Sequence, residues 1–389
     1  MFNTLTLFGY CWRSYSLWML YRPDAVTVWR NAEVKERLSR YYAIMQDRLP
    51  AKFLVAKRVS VDVDLNEKIE KLWFAHDKAS SKFRSLLKKI DAGQIELKDL
   101  DTPKVSYLDL KVEIAHRILE KCCFCERRCE VDRVEGEKGF CRIDDRARVS
   151  TAFLHMGEEA PLVPSGTIFF AGCNFGPCVF CQNYDISNYP ENGEEVTPEK
   201  LARIVNSLKR EGARNVNWVG GEPTPNAYHI IASMKYTTVN IAQLWNSNMY
   251  CSKELMKLLL DIVDFWLPDF KYGDDKCAKR LSKVPNYWNI VTRNHKTAYD
   301  ETVAQGTSGM IIRHLVLPNH VECCTRPILE WVAKNCPKAL VNIMDQYRPL
   351  FQVPGNPEYS DIDRRPTGKE MEKAYKIADE LNILWKPVS

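Results

Sequence analysis

From about residue 150 onward the chain alternates short apolar runs with amphipathic stretches, and few folds accept that alternation. The run TIFFAG at Thr167–Gly172 reads as a strand, PEKLARIVNSLKREG as a helix with Thr197 ahead of Pro198 at its start, and NVNWVGG as a strand again. NIAQLWN, VDFWLPDF, GMIIRHLVL and ALVNIM continue as strands, with SKELMKLLLDI and RPILEWVAKN as helices between them. Thr367 and Glu370 form a capping-box pattern before a helix that runs to about Leu381. Strands separated by helices are parallel and joined by right-handed crossovers, so the chain is predicted to be α/β, an open or partial (β/α)6-type barrel over residues 151–389. Function in such barrels gathers at the C-terminal ends of the strands.

The residues predicted at those ends carry chemistry. After the first strand comes AGCNFGPCVFCQN, with Cys173, Cys178 and Cys181 in one loop. Iron–sulfur cubanes are usually held by four thiolates, so three leave one iron open to a small molecule, as catalytic metal sites do. Structural zinc would want a fourth Cys or His nearby, and the next histidine downstream is His229. A disulfide needs a partner and an oxidising compartment. GGEPTP, Gly220–Pro225, follows NVNWV, and Asn246–Ser247–Asn248 follows NIAQLW. Asp269 and Lys271 share one face of their strand by its two-residue period. Gly220 and Gly221 let the backbone approach a ligand closely, although glycine also relieves strain in any βα turn. Arg313 and His314 point to opposite faces of a later strand, so only one of them faces the barrel interior.

Length and cysteine usage bound the rest. At 389 residues the chain exceeds the ~250–300 at which single cores stop growing, which predicts a second domain or a substantial extension. Residues 1–118 read as a helical N-terminal extension: Ile69, Leu72, Trp73, Phe83, Leu86, Leu87 and Ile90 recur at helical spacing before Gly93, and YLDLKVEIAHRILEKC repeats the pattern. Such an extension suits a docking surface or a lid over the barrel. Trp12, Trp18, Tyr21 and Trp29 read as core contacts. Residues 119–150 are a Cys-rich segment in which Cys122, Cys125, Cys129 and Cys141 supply four thiolates for zinc or iron, with Cys123 making the first ligand ambiguous. Of fourteen cysteines, eight lie between Cys122 and Cys181, a clustering that points to metal rather than disulfides. Cys251, Cys277, Cys323, Cys324 and Cys336 are scattered and read as small buried hydrophobes. A net charge of +5, from 55 basic and 50 acidic residues, does not imply nucleic acid. The apolar N-terminus is interrupted by Arg13 and Ser14 and reads as neither signal peptide nor membrane span, so a reducing cytoplasm is expected.

Taken in order, the three-Cys loop, GGEPTP, LPDFKYGD, IIRHLVLPNH and VNIMDQYRP resemble the radical S-adenosylmethionine (SAM) superfamily, in the branch related to pyruvate formate-lyase activating enzyme, over roughly residues 120–389. The chain departs from the superfamily's usual cysteine spacing of three residues and then two: four residues, Asn174–Pro177, separate Cys173 from Cys178, and Gly176 with Pro177 is expected to form the longer bend. The resemblance implies a 4Fe-4S cluster on Cys173, Cys178 and Cys181. It further implies reductive cleavage of SAM to a 5′-deoxyadenosyl radical, hydrogen abstraction from a substrate, and an electron donor such as ferredoxin or flavodoxin. It assigns Gly220, Gly221, Glu222 and Pro223 to the SAM amino group. Phe180 falls beside adenine or shields the cluster, Asn246 and Asn248 reach the ribose or the carboxylate, and Asp269 with Lys271 serves SAM or a cation, or is a structural ion pair. Arg313, His314, Gln346 and Tyr347 are left as substrate contacts. The four upstream thiolates imply a second iron–sulfur cluster or a zinc site. Activating relatives act on a backbone glycine of a partner protein; an iron–sulfur electron carrier and a SAM-dependent methyltransferase are the competing functions.

Overall fold

The structure is a computed structural model that describes residues 17–389; Trp12 lies outside them. Its strands are β1 (Ala147–His155), β2 (Ser165–Phe170), β3 (Glu194–Val196), β4 (Asn215–Gly220), β5 (Ala242–Ser247), β6 (Phe265–Pro268), β7 (Gly309–Leu315) and β8 (Leu340–Met344). They form one sheet in the order β3-β1-β2-β4-β5-β6-β7-β8. The six strands from β2 through β4 to β8 are parallel, as the alternation predicts. β1 and β3 add an antiparallel edge. β1 has one half-exposed face, and β3 is three residues long, so neither carries the continuous apolar run that marks a buried strand.

Long helices are α1 (Ile69–Asp91), α2 (Tyr107–Glu120), α3 (Pro198–Arg210), α4 (Ala227–Tyr236), α5 (Lys253–Leu260), α6 (Asp275–Ser282), α7 (Tyr287–Ala298), α8 (Arg326–Asn335) and α9 (Gly368–Glu380). α3 buries Leu201, Ala202, Val205 and Leu208, one face at helical period, and its Thr197 cap accepts from Lys200 N at 3.3 Å. The capping box at α9 forms in both directions: Thr367 N donates to Glu370 Oε2 at 2.7 Å, and Glu370 N donates to Thr367 Oγ1 at 3.3 Å. None of the described helices is long and apolar enough to cross a membrane.

The described part of the N-terminal extension is helical, and it does not sit over the site. Short helices at Ser39–Met45 and Lys52–Ala56 pack beneath β5 and β7, at the end of the barrel where the strands begin. Asp264, one residue before β6, is buried and accepts from Lys52 N at 3.0 Å, Arg40 Nη1 at 3.3 Å and Gln243 N at 2.9 Å. The Lys52 ammonium donates to Leu260 O and Ser308 Oγ at 3.1 and 2.7 Å, and its burial pushes its pKa down to about 7. These described residues of the extension therefore plug the barrel floor. Trp29 joins the core against Tyr42 at 4.6 Å. Tyr21, expected in the core, is 79% exposed, and Trp18 is half-buried under the Arg214 guanidinium.

Candidate active site

At the C-terminal ends of the parallel strands lies a cavity of about 240 Å³ that brings together the three-Cys loop, the GGEP turn, the β5 end and the Asp269–Lys271 pair. The cysteine loop is fastened from three sides. Ser282 Oγ, at the end of α6, donates to Cys178 Sγ at 2.9 Å, Val179 N donates to Leu281 O at 2.9 Å, and Ser187 Oγ lies 3.4 Å from Cys181 Sγ. Gly176 makes the extra residue possible by close packing and not by an unusual φ. A Cβ there would lie 2.6 Å from Lys283 Cβ and 2.8 Å from Ser282 O. The longer loop is thus seated against the C-terminus of α6. Burial raises the Cys173 thiol well above its ordinary range and pushes Cys178 up to about 12, so a ligand that binds these sulfurs as thiolates must release protons.

Gly220 has φ +124, and a Cβ on it would collide with the Phe170 backbone. The turn after β4 can only lie this close to the cluster loop with glycine at that position. Glu222 is buried and acts within the protein. Its Oε1 accepts from Thr224 Oγ1 and Ser247 Oγ, both at 2.6 Å, and its Oε2 accepts from Asn248 N at 2.9 Å. It braces the turn against the end of β5, and burial raises its pKa against the pull of those donors. Pro223 stands at the start of the helical turn that follows, outside the cavity wall.

Asn248 donates to Asn174 Oδ1 at 2.8 Å and so supports the cysteine loop from behind. Asn246 is different. It is buried in the cavity wall, and its Nδ2 has no hydrogen-bond partner in the protein. Buried amide donors are almost always paired, which makes this one a candidate ligand contact. Lys271 Nζ and Asp269 Oδ2 pair at 2.6 Å in the same wall. Burial opposes the Lys271 charge, but Asp269 and the sulfurs of Cys178 and Cys181 outweigh it and hold the pKa above its usual value. Phe180 closes one side, edge-on to Tyr347 at 5.6 Å and Tyr272 at 6.5 Å.

The four residues expected to meet a substrate separate in space. Gln346 and Arg313 line the cavity. Arg313 is already engaged, by Glu158 Oε2 at 2.6 Å and Glu159 Oε1 at 2.7 Å, in a buried network that Asn217 and Asn342 extend. His314 takes the opposite face of β7, where its ring nitrogens lie 2.9 Å from Phe270 O and Thr325 Oγ1. Tyr347 is buried and donates to Ile362 O at 2.8 Å.

The Cys-rich segment wraps beside the cysteine loop without regular secondary structure. Arg127 joins the two, donating to Asn174 O at 3.0 Å and Lys283 O at 2.9 Å. Burial raises the Cys125 and Cys141 thiols, with Cys122 and Cys129 near enough to raise both further. Burial and the nearby Glu254 carboxylate push the Cys123 thiol up to about 11.

One constellation escaped sequence reading. Cys277, His320, Cys323 and Cys324, three of them read as scattered hydrophobes, converge with all four ligand atoms within 4.8 Å of one another. The local signal was His320 three residues before a Cys pair. Cys277 lies more than forty positions upstream, and only the fold supplies it.

Comparison with known proteins agrees with this geometry. Residues 167–332 match the family model described as the radical SAM superfamily. The uncharacterized protein MJ0674 of Methanocaldococcus jannaschii is 46% identical over 353 residues, 89% of this chain and 98% of the relative. A second uncharacterized protein of that organism, MJ0808, is 26% identical over 223 residues, 46% of this chain and 63% of the relative. Among solved structures, Streptococcus suis SuiB is similar at 16% identity and a TM-score of 0.38, covering 55% of this chain, which spans 44% of the SuiB chain. SuiB bound to its precursor peptide SuiA matches at 15% identity and a TM-score of 0.40, over 82% of this chain and 63% of that one. A domain of pyruvate-formate lyase-activating enzyme from Bacteroides vulgatus matches at 16% identity and a TM-score of 0.30, over 48% of this chain and 89% of that one. With the three-cysteine loop inside the matched residues, the chain carries a radical SAM superfamily domain at residues 167–332, and that family implies an enzyme with a 4Fe-4S cluster and SAM.

Proposed function

We propose that Cys173, Cys178 and Cys181 hold the 4Fe-4S cluster, that SAM occupies the adjoining cavity, and that the enzyme draws hydrogen from a backbone glycine of a partner protein, as activating enzymes do. The observation that carries the SAM site is the unpaired Asn246 amide, buried in the same wall as the three thiols and the glycine turn. When bound, cluster and SAM together supply one-electron reductive cleavage of the sulfonium and the hydrogen-abstracting power that follows from it.

The chain's own residues bind and orient. Gly220, Gly221, Glu222 and Pro223 form the turn that meets the SAM amino group, with the Glu222 carboxylate keeping that turn in register with β5. Asn246 donates to the ligand, and Asn248 holds the loop that carries Cys173. Asp269 and Lys271 present a paired charge to the SAM carboxylate side, and Phe180 excludes water. Gln346 and Arg313 face the remaining space, where the substrate enters. We assign a second iron–sulfur cluster to Cys122, Cys125, Cys129 and Cys141, with Arg127 tying its segment to the first cluster's loop on the route from a ferredoxin- or flavodoxin-type donor.

Anaerobic reconstitution with iron and sulfide, then dithionite and SAM, tests the reaction. 5′-Deoxyadenosine and methionine are expected; a fully loaded protein that yields neither is an electron carrier, and S-adenosylhomocysteine in their place identifies methyl transfer.

A further inference from the structure

We propose that Cys277, His320, Cys323 and Cys324 form a dedicated single-ion site that binds one Zn²⁺ in a tetrahedral Cys3His shell, separate from both cysteine groups discussed above. Cys323 Sγ lies 3.9 Å from Cys277 Sγ and 3.9 Å from Cys324 Sγ. His320 Nδ1 lies 3.1, 3.7 and 4.0 Å from the sulfurs of Cys323, Cys277 and Cys324. A tetrahedral zinc with Zn–S of ~2.3 Å and Zn–N of ~2.0 Å spaces its sulfurs ~3.8 Å apart and its nitrogen ~3.5 Å from them. The two sulfur edges of 3.9 Å fall close to the first value, and the nitrogen edges bracket the second. A four-iron cluster, being larger than one ion, holds its thiolates further apart. Three thiolates and an imidazole at single-ion spacing select zinc over hard cations.

The surroundings complete the site. His320 Nε2 lies 3.1 Å from Asp361 Oδ2 and 3.2 Å from Arg280 Nη2, while Nδ1 faces the sulfurs; in the tautomer with the proton on Nε2, shared with the carboxylate, the Nδ1 lone pair is free for the ion. Arg280 Nη2 donates to the same carboxylate oxygen at 2.6 Å and balances its charge. Cys323 and Cys324 lie in a π-helical turn, Val321–Thr325, whose larger number of residues per turn narrows the angle between consecutive side chains. Gly273 lets the loop before α6 come down onto that turn: a Cβ there would collide with Cys323 O and lie 2.7 Å from Cys324 Cα. Cys277 is thereby delivered from α6, the helix whose Ser282 donates to Cys178 Sγ and whose Leu281 carbonyl receives Val179 N. The ion clamps α6 to the segment after β7 and to Asp361, and through α6 it steadies the cysteine loop.

Zinc and iron are counted in anaerobically purified full-length protein and in Cys323→Ser, Cys277→Ser/Cys323→Ser and Cys129→Ala. Both variants at the new site are expected to lose about one zinc per chain with iron unchanged, while Cys129→Ala keeps that zinc. In zinc X-ray absorption, His320→Cys is expected to retain the metal and replace the nitrogen at ~2.0 Å by a fourth sulfur at ~2.3 Å. This reading decides the matter if the serine variants fail to fold. Unchanged zinc in both serine variants, iron lost in place of zinc, a disulfide among the three thiols of the anaerobic protein, or no change of scatterer in His320→Cys would each overturn the assignment.

Discussion

Asn246→Leu is expected to act in opposite directions on the empty and the loaded protein. Asn246 is 4% exposed at the end of β5, and its Nδ2 has no partner. An unpaired buried amide donor costs ~1–3 kcal/mol, and leucine keeps the side chain's branching while removing that donor. The ligand-free variant should therefore be more stable than the parent by about 1 kcal/mol or more, with a higher denaturant midpoint at unchanged slope. Unfolding is followed by the fluorescence of the buried tryptophans Trp218, Trp245 and Trp266. Once SAM is bound, the same nitrogen makes a hydrogen bond that leucine cannot, and losing ~1.4–3 kcal/mol raises the SAM dissociation constant roughly 10- to 100-fold. Equilibrium dialysis on the reconstituted protein measures that change. A lower midpoint combined with unaltered SAM affinity would refute the reasoning, because it would mean that Asn246 serves the protein rather than the ligand.

Three further substitutions test the supports of the site. Glu222→Gln places an NH2 group among donors and should cost about 2–3 kcal/mol of stability, at the level of a hydrogen bond to a charged group; an unchanged unfolding midpoint would exclude the brace. Arg313→Met leaves Glu158 and Glu159 buried without their cation and should destabilise by ~3–5 kcal/mol near neutral pH. Burial raises Glu158 to about 7, so the folded chain holds this proton more tightly than the unfolded chain. Stability from this group is therefore greatest below the unfolded pKa of ~4.5 and falls as pH rises toward 7. Removing Arg313 should steepen that fall, and parallel stability profiles between pH 5 and 7.5 would contradict it. Gly176→Ala drives a methyl group into Lys283 and Ser282 and should lower the iron bound at the Cys173 loop; full iron content would argue that the loop is not held by α6.

The parallel half of the sheet was legible because each of its strands is an apolar run followed by a helix of one-sided pattern. β1 was not, since ARVSTAFLH buries only part of itself, and neither was β3, which is too short to show a period. α6 and α7 were obscured by polar composition, as in DKCAKRLS and YWNIVTRNHKTA, which bury single stripes against the barrel. At the site, the strand period identified Asp269 and Lys271 as neighbours, and correctly allowed only one of Arg313 and His314 to face the interior. What it could not decide was phase, and therefore which of the two. Gly176 was noticed for its freedom of φ, whereas its use is to vacate a Cβ. The Cys277 and His320 cluster was invisible for a simpler reason: its members are scattered along the chain and meet only because α6 and the turn after β7 are brought together.

The buried Lys52, Arg40 and Asp264 assembly has a practical corollary for anyone handling this enzyme. With its underside stoppered by its own leading segment, the barrel is approached from the strand tips, where the cavity lies. Trimming that segment back past Lys52 would uncork the base and leave the buried Asp264 carboxylate without Arg40 and Lys52.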